Sequence, residues 1–210
     1  MARVKIGNVR TPIDYLKQHF APVGYGLGVS LPRISADANA ATKNGWYLLE
    51  PGATNSPNST YYAVVRADSV DDGSMVQTAY SLDAYFSQLI RRKIFGTWGE
   101  WEYVNPPMVI GVEYRTTERW NGKPVYRKLV SFNLAAATSS GFVVPHGISG
   151  FKRLVRQVGT FDPNFLLPYI HNGHTTWVSE VNATNIVVGN TGQAWDTSYS
   201  WHFDLYYTKN

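Results

Sequence analysis

Residues 111–132 read GVEYRTTERWNGKPVYRKLVSF, two alternating stretches that meet at Asn121-Gly122. Asn and Gly both tolerate positive φ, so the dipeptide fits a tight type I′ turn, whose twist matches the strands on either side. Along those stretches Arg and Lys alternate with Tyr, Val, Leu and Phe, the period of a strand with one buried face and one wet face. The reading is a solvent-facing β-hairpin with Trp120 at its tip. It sets the expectation for the whole chain, which is mainly β.

Composition agrees. The chain has 210 residues, enough for one or two domains that each bury a core. Charged residues make up 16%, and 18 Gly and 11 Pro favour turns and strands over long solvated helices. With no cysteine there is no disulfide framework, thiolate metal site or thiol nucleophile. The net charge of +4 is a mild bias that either favours anionic polysaccharide or simply aids solubility, and solubility is the preferred reading. Basic residues are scattered except at Arg91-Arg92-Lys93, read as a strand edge or loop. No basic stripe accompanies that triplet, so no nucleic-acid partner is expected. No run reaches the roughly 18 apolar residues of a membrane span, and MARVKIGNVRTPID lacks the apolar core of a secretory signal. Assembly in a cytoplasm without membrane insertion is the expectation.

Three segments are expected. In residues 1–35, Thr11 caps a short helix, Pro12 suits its first position and Asp14 lies near the positive end of its dipole. Tyr15, Leu16, His19 and Phe20 form one stripe before Ala21-Pro22 stops the helix. About ten residues of helix are marginal alone, so the stripe needs a partner. Gly24-Tyr25-Gly26-Leu27-Gly28 lacks the Gly-Lys-Ser/Thr ending of a phosphate loop and reads as a connector. Residues 36–107 form a small β-rich domain, with strands near 46–49, 61–66, 74–80 and 89–95 between Pro-Gly, Ser-Pro-Asn-Ser and Asp-Asp-Gly turns. Trp98 and Trp101 offer either a sugar-stacking surface or core and inter-chain packing; packing is preferred, because small β modules need large apolar groups. Asn105-Pro106-Pro107 is a stiff linker. Residues 108–210 carry about eight short strands with turn residues at nearly every gap, the pattern of a β-sandwich of jelly-roll type.

The chemistry-bearing residues point to binding. Glu100, Glu102, Asp162, Glu180, Asp196 and Asp204 could supply a carboxylate pair, but spacing alone does not show that any two converge, and the Gly-x-Ser-x-Gly elbow, His-Glu-x-x-His and Walker loop are absent. No enzyme and no cofactor are expected. His171 and His174 flank an Asn-Gly turn that points them apart, and no third ligand follows, so no metal is expected. His146, in a Pro-His-Gly turn, reads as structural. The best candidate site is saccharide-binding, since rings that stack on a pyranose sit among side chains that hydrogen-bond hydroxyls. It comprises Asn172, His174, Trp177, Trp195, Asp196 and Tyr199, with Trp120 as a separate contact on the hairpin. For Trp195, core and ligand readings both stay open, while valines after Trp177 suggest a strand.

A family resemblance sharpens these expectations. Asn44-Gly45-Trp46-Tyr47, Ala53-Thr54-Asn55-Ser56-Pro57, Tyr62-Ala63-Val64-Val65, Gln77-Thr78-Ala79-Tyr80 and Gly96-Thr97-Trp98-Gly99-Glu100-Trp101 resemble, in order, the signature of the pyocin knob family, a small β-rich module of phage and bacteriocin tail fibres. The chain departs from it where SLDAYFSQ is inserted at 81–88. The Trp120, Gly122-Lys123-Pro124 and Val125-Tyr126-Arg127-Lys128 run resembles segments near the C-terminus of tail-fibre and tail-tip proteins. So does Phe142-Val143-Val144-Pro145-His146-Gly147-Ile148-Ser149. The helix and connector at 11–28 resemble a fibre's attachment end, which implies that Ile13, Tyr15, Leu16, Phe20 and Tyr25 dock on the virion. The resemblance implies a virion-borne phage tail fibre, a homotrimer held by tail or adaptor proteins, that recognises host-surface polysaccharide during adsorption. A purely structural tail or baseplate component is the alternative; a glycan-active enzyme or a cellular lectin is a third reading.

Overall fold

The computed structural model describes residues 31–134, 141–161, 165–171, 174–192, 195 and 198–210. The helix expected over 11–20 and its connector lie outside the described residues, with Ile13, Tyr15, Leu16, Phe20 and Tyr25. Among the described residues the structure is mainly β with no α-helix, and none is long and apolar enough to cross a membrane. The chain divides into two compact units, Met1–Asn105 and Pro106–Asn210.

In the first unit β1 (Arg33–Ile34) pairs in parallel with β2 (Gly45–Leu49), and antiparallel pairing continues through β3 (Ala63–Asp71), β4 (Ser74–Ser81), β5 (Gln88–Ile94) and β7 (Glu102–Tyr103). The short β6 (Thr97–Trp98) folds back on the end of β5. Strand alternation decides what is buried: Met75, Gln77, Ala79 and Ser81 of β4 turn inward while the residues between them stay half-exposed. Ala38, Leu49, Ala63, Val65, Ala79 and Leu89 form the core, with Ile34, Trp101 and Tyr103 packed against it. The alanines leave room for a 3-10 turn, Ala38–Ala40, whose N-cap Asp37 accepts from the Asn39 amide at 2.8 Å. The inserted segment at 81–88 is ordered by one carboxylate. Asp83 Oδ1 accepts from the amides of Tyr85 and Phe86, and Oδ2 accepts from Ser81 Oγ and Asn58 Nδ2.

The second unit has two antiparallel sheets. One runs β8 (Glu113–Trp120), β9 (Lys123–Asn133), β16 (Ser200–Lys209), β11 (Phe151–Phe161), β12 (Phe165–Leu166); the other runs β10 (Phe142–Pro145), β15 (Asn185–Thr191), β14 (His174–Val181), β13 (Tyr169–His171). Residues from both sheets share one core: Val130, Phe161, Trp201, Phe203, Leu205 and Tyr207 meet Ile186 and Val188, and Trp195 joins them. The chain crosses between sheets so that β9 lies beside β16 and β10 beside β15, while β13, β14 and β15 form a plain meander.

Candidate functional site

The hairpin at 111–132 forms as its turn residues require. Asn121 and Gly122 take φ of 48° and 75°, and Trp120 pairs with Lys123 across them. Trp120, 39% exposed, overlooks the start of β11, where a cleft of about 340 Å³ is lined by Trp120, Asn121, Lys123, Lys152, Arg153 and Thr208. The Arg153 guanidinium lies 5.6 Å from the centre of the indole ring.

This cleft differs electrostatically from the sheet beside it. Elsewhere on the sheet, cations are neutralised locally. Arg127 forks onto Asp204 with two 2.8 Å bonds, Arg156 forks onto Glu118 with two 2.6 Å bonds, and Lys209 reaches Glu113 at 2.7 Å. The carboxylate of Glu118 is held below its ordinary pKa, first by its hydrogen bond from Arg156, and the Arg156 guanidinium is pushed up by the same bond. Lys128 and Arg119 donate to backbone carbonyls, and Arg115 is engaged as well. Among the described residues, Lys123, Lys152 and Arg153 alone of this unit's cations make no hydrogen bond or ion pair, and all three line the cleft.

Of the other predicted site residues, Trp195 and Tyr199 meet in one aromatic cluster. Trp195, open between core and ligand in the sequence, is 8% exposed. Its Nε1–H donates to Thr176 Oγ1 at 2.9 Å and Asn190 Oδ1 at 3.2 Å, and its ring packs edge-on against Phe161, Tyr199 and Tyr169. Of the two readings the sequence left open, the structure places Trp195 among the core residues. Tyr199 is half-buried in the same cluster and contacts Phe161 as well. Because Thr176 points inward to Trp195, its neighbour Trp177 stands on the opposite face of β14. There Trp177 lies over Gly189, where an added Cβ would come within 2.5 Å of the indole. His174 pairs with His171 in the ladder, while Asn172 and Asp196 lie outside the described residues. Among the described residues no three His, Asp or Glu side chains gather to hold a metal.

One further reading changes. The basic triplet is no strand edge or loop: Arg91 is 4% exposed in β5, opposite Gln77 of β4. Its Nε donates to Gln77 Oε1 at 2.8 Å, and Gln77 Nε2 donates on to Ala41 O, which ties the sheet to the 3-10 turn. The guanidinium stands 4.3 and 4.4 Å from the ring centres of Trp98 and Trp101. These rings therefore clamp a cation. Burial pulls the Arg91 pKa down to about 10, so it stays charged at neutral pH. His146 is the structural histidine expected: one ring nitrogen meets Asn182 O at 3.1 Å and the other accepts from the Ile148 amide. Burial lowers its pKa.

No protein-family model matches the chain, and no curated protein matches it. Three solved structures are similar. A C-terminal portion of the Pseudomonas aeruginosa R1 pyocin fibre is 10% identical, with a TM-score of 0.32 over 85% of this chain and 68% of that one. An N-truncated R2-type pyocin tail fibre is 10% identical, with a TM-score of 0.30 over 84% and 95%. A C-terminal portion of the P. aeruginosa R2 pyocin fibre is 11% identical, with a TM-score of 0.28 over 84% and 65%.

Proposed function

We propose that the chain is a tail-fibre-type component of a phage or phage-derived particle and that its second unit binds host-surface glycan during adsorption. The ordered motifs at 44–101 and the hairpin at 111–132 support the particle assignment. The observation that carries recognition is the Trp120 cleft. An exposed ring at a rigid hairpin tip offers a face to the C–H side of a pyranose, and the amide of Asn121 beside it can bond hydroxyls. The reading is of binding, without catalysis or cofactor, by a homotrimer carried on tail or adaptor proteins.

The test is binding of the purified full-length protein to bacterial cells and to their extracted surface polysaccharide. Saturable binding that Trp120→Ala abolishes, with the melting temperature kept, supports the reading. Full binding by the variant removes the cleft from it.

A purely structural tail component is the second reading, and one feature favours it. Phe95 sits at a φ of 49° with 94% of its surface exposed, and the bulged Val70 is also bare. Gly96 N donates to Gly73 O, so these two hairpin tips lie side by side and present apolar groups suited to another virion protein or another copy. Mass measurement of wild type and Phe95→Asp tests this; a drop in oligomeric state supports it.

A further inference from the structure

We infer that the ligand of the Trp120 cleft is an acidic saccharide, its carboxylate or phosphate held by Lys123, Lys152 and Arg153 while its ring meets the indole. This rests on the glycan reading above and adds the chemical class.

Charge accounting on the sheet carries the inference. The neighbouring carboxylates are committed elsewhere: Glu118 to Arg156, Glu113 to Lys209 and Tyr207, Asp204 to Arg127. No Asp or Glu lines the cleft, so its three cations concentrate positive potential in one concave place. A neutral sugar offers these ammonium and guanidinium groups only hydroxyl oxygens in place of their water, whereas an anion offers hydrogen bonds charged on both sides, which are shorter and stronger. The geometry joins the two halves of the ligand. Arg153 presents a planar fork 5.6 Å from the centre of the Trp120 ring, so an acid group gripped there carries its own sugar ring onto the indole. A nucleic acid has the same anions on sugars, but a strand of repeating phosphates needs a basic track with several stacking rings. Here the second unit's other described cations are already engaged, and one ring lines the cleft. The site is built for one acidic residue at a time.

The experiment titrates full-length protein with hexagalacturonate, phosphomannopentaose, maltohexaose and a thymidine dodecamer at low and high salt, following indole fluorescence. The two acidic probes separate carboxylate from phosphate. At least one is expected to bind roughly tenfold more tightly than maltohexaose, and to weaken several-fold at high salt. Replacing Lys152→Gln and Arg153→Gln together should cost that probe at least about fivefold in affinity, because charge-assisted bonds are removed. Both side chains are exposed, so an unchanged melting temperature shows that the fold survives. Maltohexaose bound as well as the acidic probes overturns the inference and leaves the glycan reading standing. Failure of both acidic probes also overturns it, and the cell-surface binding test then decides the glycan reading separately. The dodecamer binding more tightly than every saccharide overturns both.

Discussion

The two units write the same strand-and-turn grammar and fill the space under their sheets in opposite ways. In the first unit the inward positions are mostly alanine and valine, and the space is closed by backbone, a 3-10 turn tied to the sheet through Gln77 and Arg91. In the second, two sheets face each other across a gap of about 10 Å, which only large side chains span. Phe161, Trp195, Trp201, Phe203 and Tyr207 fill it. Backbone close to a sheet demands small residues and leaves polar groups to be satisfied, so that unit buries an arginine between two indoles. Sheet against sheet demands rings, and the second unit buries Trp195 and Trp201 among them. Aromatic abundance alone therefore does not mark a binding surface; among the described residues, Trp120 is an exposed indole that also lines a cleft.

The comparison can be broken by substitution, most severely in the aromatic core. Trp201 is fully buried, with ring centres of Phe161 and Phe142 at 4.6 and 4.8 Å. Trp201→Ala should destabilise the second unit by about 3–5 kcal/mol. Amide hydrogen exchange should show protection lost there and kept in the first unit; loss in both would deny that each unit has its own core. Arg91→Ala should cost the first unit about 2–3 kcal/mol, by leaving Gln77 Oε1 unpaired and a void between the indoles. A neutral result in denaturant unfolding would mean that the clamp is decoration.

Acid should separate the units more gently. The folded pKa of His146 lies below its ordinary value, so the unfolded chain binds the proton first. Stability from this group is complete above the ordinary histidine pKa of about 6.5 and falls as pH drops below it, until the folded pKa is reached. Melting at pH 7.5 and 5.5 should show the second unit losing stability, with the loss reduced in His146→Gln; equal pH dependence in the variant would clear His146. The smallest effect belongs to Phe95. Phe95→Asn relieves a bulky residue at positive φ and should leave the first unit unchanged or up to about 1 kcal/mol more stable. Destabilisation in the monomer would show that the exposed ring has a partner within its own chain.

What was legible in the sequence was local. The Asn121-Gly122 hairpin and the inward alternation of β4 follow from turn chemistry and period. Trp195 is ambiguous in the sequence because its neighbours are turn-favouring residue types, whereas its place in the core is fixed by Thr176 and Asn190 on β14 and β15. Arg91 looked like one of three surface cations, and only the register that places it opposite Gln77 turns it inward. Lys152 and Arg153 carry no motif, and they meet Trp120 because β9, β16 and β11 lie side by side. An isolated glycine in a strand marks a close approach, and Gly189 carries that signal for Trp177.

The most direct test of the central claim uses the seven tryptophans themselves. Fluorine-labelled tryptophan in the full-length protein gives one resonance per indole, assigned by single Trp→Phe variants. On titration with the surface polysaccharide that the protein binds, the account predicts that the Trp120 resonance shifts while those of Trp195, Trp201, Trp98 and Trp101 hold still. A shift at Trp177, or at the Arg91 clamp, with Trp120 unmoved would contradict it.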